Sequence, residues 1–358
     1  MTLSRTSDAL LALTRLGAGN ACGVLPDSID WTELKALAEQ HGLSAIVLDG
    51  IERLPESKRP PQELLLEWIG EVLHGFEYHY DQYCTAISEL AAFYNSHGYK
   101  MMVLKGYACS IDWPKPQHRP CGDIDIWLFG KQKEADEALI KDKGIEIDSS
   151  HHHHTVYYWH DFMVENHYDF INVHHHKSNA KIESILKELG RDDSHSVELF
   201  GEKVYLPSPN LHALFLLKHM MMHFAAEGIM LRQLLDWGLY AKAHTKEIDW
   251  DWLNDVLKQY GMFEMFNTLN AICVEDFGFA ASIFPGVQFN PYLKDRVLIE
   301  IVYPKFGSEL PKLFLTRFIF KIRRWKANEW KHKLCYKESM WSAFWSGVWN
   351  HILKPSSI

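Results

Sequence analysis

The sequence predicts an α+β fold in which a small αβ core lies between two helical regions, and three observations lead there. Over residues 1–95 the apolar positions recur at helical spacing. Between about Tyr99 and Lys177, β-branched and aromatic residues come in short runs separated by turns, as strands do. From Asn210 onward the helical spacing returns. The chain therefore divides into a helical N-terminal region at 1–95, a core at 96–205, and a helical C-terminal region at 206–358 that ends in a basic, aromatic tail.

Composition fits a globular protein and argues against some roles. The 358 residues are 47% hydrophobic, ample for a packed core. Lys and Arg total 37 against 46 Asp and Glu, a formal charge of -9, so the chain as a whole lacks the basic footprint of a general nucleic-acid binder. Six cysteines, Cys22, Cys84, Cys109, Cys121, Cys273 and Cys335, show no Cys-x-x-Cys pair, and no secretion signal precedes them. Reduced thiols and a cytoplasmic location are the expectation. No uncharged run approaches the ~20 residues a transmembrane helix needs.

Taken in order, Trp31, Leu34, Leu37, Ala38 and His41 mark a helix closed by Gly42. After the Pro-rich break at 54–61, a longer helix is expected over Glu63–Asn95. Tyr99–Leu104 reads as a buried strand, and Gly106 opens a short helix. The next strand carries Gly122-Asp123-Ile124-Asp125-Ile126-Trp127. A helix follows over Lys131–Lys141, ended by Gly144, and then strands at Val156–His160 and Tyr168–His174. Beyond Pro207-Ser208-Pro209, Asn210 is placed to cap a helix over Leu211–Phe224, with further helices at Leu231–Ala243 and Trp250–Tyr260. In the tail, Lys312, Arg317, Lys321, Arg323, Arg324, Lys326, Lys331 and Lys333 alternate with Phe314, Phe318, Phe320, Trp325 and Trp330. The expectation is a helix that packs its aromatics on the body and solvates its basic face, with peripheral contact to an acidic membrane surface or acidic partner as the alternative.

The chemistry concentrates between Lys105 and Asp125. On an extended chain Asp123 and Asp125 project from one face while Ile124 and Ile126 point into a core. Adjacent carboxylates repel one another unless a cation compensates them, and oxygen ligands of this kind suit Mg²⁺ or Mn²⁺. Upstream, Gly106 lets a phosphate approach the backbone at the start of a helix, a cradle to which Tyr107 and Gly122 also belong. Lys105 and Arg119 flank it and are placed to hold a triphosphate, Arg being the better fork.

Leu104-Lys105-Gly106, Arg119-Pro120 and Gly122-Asp123-Ile124-Asp125 resemble the signature of a largely uncharacterised bacterial nucleotidyltransferase family of the polymerase-beta-like superfamily. Further matching stretches are Trp31 to Gly42, Val173-His174 and Gly228 to Trp237, so the resemblance extends over most of the chain. It implies a polymerase-beta-like αβ core and Mg²⁺-dependent (or Mn²⁺-dependent) transfer of a nucleoside monophosphate from an NTP to an acceptor hydroxyl. The acceptor stays open among a sugar, another small molecule, an RNA end and a protein. Tyr107 stands where the superfamily usually has a small residue. The resemblance raises Arg232 from a simple partner of Asp236 to a phosphate contact.

It also implies a third carboxylate on a neighbouring strand. The matching position in Phe170–His176 is Asn172, an amide that can ligate a metal but cannot act as a base. Three readings follow: Asp169 brought round by a bulge, His174 as substitute base, or a non-catalytic module with a degraded site that only binds nucleotide. The histidine runs 151–154 and 174–176, and His212, His219 and His223 on one helix face, have no cysteine or acid at ligand spacing. They read as loop, buried or surface histidines rather than a zinc centre.

Overall fold

The structure is a computed structural model, and it describes residues 3–21, 23–174, 176–306 and 314–341, excluding the side chains of residues 314, 315 and 318. The architecture is α+β, as the sequence predicts. The described residues pack as two compact units: residues 76–112, 120–174, 176–216 and 338–341 form one, and residues 3–21, 23–75, 113–119, 217–306 and 314–337 the other. These limits follow packing rather than sequence order, and so differ from divisions at 95 and 205.

The first unit is built on a six-stranded sheet: β1 (Met102–Val103), β2 (Ile124–Trp127), β3 (His154–Trp159), β4 (Phe162–His167), β5 (Ser196–Leu199) and β6 (Glu202–Tyr205). The spatial order is β3-β4-β2-β1-β6-β5. Strand β2 lies parallel to β4 and antiparallel to β1, which in turn runs parallel to β6. All four residues of β2 are buried. Ile124 and Ile126 enter a core made with Tyr83, Ile87, Leu90 and Tyr94 of the helix Tyr78–Ser96 and Leu139 of the helix Gln132–Lys143. The latter helix stops where expected, at Gly144, whose φ of 65° is the left-handed conformation glycine adopts without penalty. On the opposite face Trp127 stacks on Phe170 at 4.3 Å and donates its indole N–H to the Gly190 carbonyl.

Two elements differ from expectation. The continuous helix expected over 63–95 is instead the helix Gln62–Glu71, a π-helical stretch Val72–Glu77, and the helix Tyr78–Ser96. The strand expected at 168–174 lies earlier, at β4, and residues 168–174 form a loop. There the backbone groups find side chains instead of a ladder. The Glu183 carboxylate accepts the N–H groups of Phe170 and Ile171, and Asn172 Oδ1 accepts that of His174. Strands β3 and β4 join through a two-residue turn whose first residue, His160, has the positive φ (53°) of the primed hairpin turns.

The second unit is helical. Asp30 caps the helix Trp31–Gln40 by accepting from Thr32 and Glu33. The helices Arg5–Gly17 and Ser44–Glu52 approach so closely that a Cβ on Gly17 or Gly50 would lie 1.9 or 2.2 Å from a carbonyl oxygen of the other. His41 accepts from the backbone of Leu231 and Arg232, so the stretches 31–42 and 228–237 meet. Asp236 is 5% exposed and takes a two-pronged ion pair from Arg119, both N···O distances 2.9 Å, plus the Trp113 indole N–H at 2.8 Å. In the tail, Trp330 packs against Phe224 under the Arg296 guanidinium, and Arg317, Lys321, Arg323, Lys326 and Lys333 are exposed, as expected of a solvated basic face; Lys331 departs from it, buried in an ion pair with Glu300 at 2.6 Å. Lys312 lies outside the described residues. Among the described residues no helix is long and apolar enough to cross a membrane.

Removing one partner of a buried charge pair strands the other, at a cost of about 3–5 kcal/mol. Asp236→Ala is therefore expected to lower the unfolding free energy by about that amount in a urea titration, and Arg119→Met/Asp236→Leu to recover most of it.

Candidate active site

The site grows from the register of β2. Parallel pairing sets Asp125 beside Glu165 and Trp127 beside His167, and antiparallel pairing sets His154 across from His167. Side-chain alternation then gathers Asp125, Glu165, His167 and His154 on the sheet face opposite Ile124 and Ile126. Asp123 precedes β2 by one residue, half-buried. Lys105 follows β1, where the Leu104 N–H donates to the Asp125 carbonyl.

Asp125 is 1% exposed, with Lys105 Nζ 2.7 Å and His167 Nε2 3.1 Å from its Oδ1. Burial alone would raise its pKa; the Lys105 ammonium, followed by His167, outweighs burial and holds Asp125 well below the usual carboxylate range. Burial opposes charge on His167 as well, but its hydrogen bonds to Asp125 and Glu165 push it up to about 9. Asp123 is the acid left short of positive charge. Burial and then repulsion by Asp125 push it up, with Lys105 only partly offsetting them.

Gly106 makes the turn possible. Its φ of 46° is the left-handed region, and a Cβ there would lie 2.1 Å from the Tyr83 hydroxyl, which donates to the Asp123 carbonyl at 2.9 Å. The helix it opens, Tyr107–Ser110, is four residues long. One tyrosine thus closes the space over Gly106 and fixes the backbone of the first acid.

The sequence-predicted residues divide. Asp123, Asp125, Lys105, Gly106, Tyr107 and Gly122 belong to the sheet unit, with Lys105 engaged by Asp125. Arg119 and Arg232 belong to the helical unit, where the Arg119 fork is taken by Asp236. Asn172 spends its side-chain oxygen on the His174 N–H and its carbonyl on Asn179, within the loop. Asp169 is paired with Lys187. The His174 ring lies tilted against that of His152, centroids 4.9 Å apart. The acid that stands against Asp125 is Glu165, which sequence reasoning missed. The signal was the run Phe162-Met163-Val164-Glu165-Asn166-His167 behind the His160-Asp161 turn, a hairpin pattern with its acid mid-strand.

Ligand atoms of Asp125, Glu165 and His167 lie within 4.8 Å of one another, close enough for one ion. The same holds for His153, His154 and His167. Burial pushes His153 down to about 2 and His154 to about 4, so both rings are neutral at neutral pH.

The model of a family described as uncharacterised nucleotidyltransferase matches residues 27–278. The chain belongs to that family. No curated protein matches it. Among solved structures, an antigenic nucleotidyltransferase-like protein from Paracoccidioides brasiliensis is similar at 17% identity and a TM-score of 0.34, over 46% of this chain and 77% of that one. The matched residues of the nucleotidyltransferase family include the whole of β1–β6 and both Asp123 and Asp125.

Two outcomes follow for stability. Gly106→Ala is expected to cost about 1–3 kcal/mol from the strained φ alone. Combined with Tyr83→Phe the loss falls short of the sum of the single losses, because the clashing hydroxyl is gone; urea titrations of the four proteins test this double-mutant cycle. Glu183, which anchors the 170–171 backbone, is pushed by burial up to about 7 from 4.5. A carboxyl that holds its proton more tightly when folded contributes most below pH 4.5, and that contribution is lost as pH rises through 7. Thermal melts of Glu183→Gln are expected to fall less steeply than wild type between those limits; parallel curves would contradict this assignment.

Proposed function

We propose that this protein transfers a nucleoside monophosphate from an NTP to an acceptor hydroxyl in a Mg²⁺-dependent reaction, with Asp123, Asp125 and Glu165 as its three carboxylates. The observation that carries the reading is the Asp125–Glu165 register pair, which sets a third acid beside the Asp-x-Asp motif. Asn172 was the motive for a degraded module that only binds nucleotide, and an acid on β4 removes that motive.

The donor set fits a hard divalent ion: carboxylate oxygens on a sheet face, with Asp123 raised by burial and by repulsion from Asp125. Asp123 and Asp125 would hold the ion, which when bound neutralises the triphosphate and favours in-line displacement at the α-phosphorus. Lys105 and His167 keep Asp125 ionised and aimed along the strand edge. Glu165, held below its ordinary pKa by His167 against the effect of burial, is the base that accepts the acceptor's proton as the new phosphorus–oxygen bond forms and pyrophosphate leaves. The charge of -9 disfavours a long nucleic acid as acceptor.

The test is titration of the four NTPs with Mg²⁺ or Mn²⁺, with pyrophosphate release measured alongside. Asp123→Ala/Asp125→Ala is expected to lose metal-dependent binding. Glu165→Gln is expected to retain binding and lose release by a factor on the order of a hundred to a thousand. Asn172→Ala and Asp169→Ala are expected to stay within a few-fold of wild type. Full release in Glu165→Gln, or no NTP binding by wild type, would overturn the proposal.

A further inference from the structure

The two ring nitrogens His153 Nδ1 and His154 Nδ1 are buried without a hydrogen-bond partner, a costly state for polar atoms. His154 is 6% exposed. Both sit against His167, with ring centroids 5.7 and 5.3 Å from it and 4.2 Å from each other. One ring nitrogen from each of the three lies within 4.8 Å of the others.

The cluster is rigidly held. His154 and His167 are cross-strand partners in the β3–β4 hairpin. The His153 carbonyl accepts from both Tyr168 and Asp169, which pins its backbone at the start of β3. His167 Nδ1 donates to the Asp169 carbonyl at 3.1 Å, and Nε2, which faces the Asp125 and Glu165 carboxylates, gives up its proton to ligate. A backbone carbonyl holding one nitrogen of an imidazole while the other ligates is the usual support of a metal-binding histidine. Glu165 Oε1 lies 3.8 Å from His154 Nε2, on the side of that ring away from its unpartnered Nδ1.

We propose that His153, His154 and His167 form a second cation site that takes a borderline divalent transition ion of the zinc class rather than Mg²⁺. Three imidazoles with a fourth position left to water are a donor set that zinc accepts and that Mg²⁺, which favours oxygen, does not. The site also has a consequence for its neighbour. His167 Nε2 is the atom bonded to Asp125. Ligation withdraws it, so ion occupancy and the His167–Asp125 hydrogen bond exclude each other. The carboxylates then keep Lys105 as their counter-charge while zinc holds the histidine.

The experiment is a titration of the tag-free full chain with Co²⁺ as spectroscopic probe, followed by Zn²⁺ and by a large excess of Mg²⁺. Expected are visible d–d bands saturating at a single ion per chain, abolished by Zn²⁺ and unmoved by Mg²⁺. His153→Ala and His154→Ala should each weaken binding by at least about tenfold, since even outer-shell changes cost that much. His151→Ala/His152→Ala, altering the neighbouring part of the run, should bind as wild type. Melting curves without metal report folding; if His154→Ala fails to fold, His153→Ala, which is less buried, decides. Undiminished binding in the His153 or His154 variants, loss in the His151/His152 pair, or displacement by Mg²⁺ would each overturn the proposal. The readout is binding, so it is independent of nucleotidyl transfer.

Discussion

The sheet unit depends on keeping one carboxylate ionised where water cannot reach it. Asp125 is on the fully buried central strand, and an isolated buried charge is too costly to persist. Two cations solve this from two directions: Lys105 at the end of β1 and His167 at the end of β4. Each solution imposes a further demand. Lys105 must end its strand beside Asp125 and the chain must then leave, which needs the left-handed turn at Gly106. His167 must sit at a sheet position that itself stays charged, which is why Glu165 shares it. Removing the ion pair in favour of apolar packing would be neutral or stabilising for many folds. The proposed reaction, which needs Asp125 ionised, would account for such a pair.

Much of this was legible in the chain. The alternation of Asp123-Ile124-Asp125-Ile126 fixes which side chains face the core, and the structure places both isoleucines there. Gly106, the helix closed by Gly144 and the helices Leu231–His244 and Trp250–Gln259 also follow from local rules. The third acid did not. Whether Glu165 or Asn172 stands beside Asp125 depends on strand register between segments some forty residues apart, and β-branched and aromatic residues at 168–174 match a strand as well as those at 162–167 do. What decides is Glu183, a carboxylate that takes over backbone N–H groups at 170 and 171. Nothing local to the loop announces it.

The arginines teach a second limit. A fork near a Gly-Asp-Ile-Asp motif reads equally well as a phosphate clamp or as a structural ion pair, because both need the same planar donor. In the helical unit Asp236 and Trp113 meet Arg119, and the stretch Gly228 to Trp237 is bound to the 31–42 helix through His41. Residues that carry a family resemblance thus include some whose observed partners are purely internal.

The sheet order also bears on how the chain finds its fold. β3 and β4 are joined by two residues, β1 pairs with β2 across a loop shorter than the roughly forty residues between β2 and β4, and so the part of the sheet holding the carboxylates and histidines closes over shorter loops than the rest. The pairing of β1 with β6, Met102 beside Tyr205, instead closes a loop of roughly a hundred residues, an entropic cost paid before that contact returns anything. Formation of β1–β6 is the slow step this topology predicts. Lys105 lies just beyond β1, which pairs with β2 across a shorter loop than β4 does, so the ammonium that compensates Asp125 arrives with the half of the sheet that holds the acids, before β5 and β6 close.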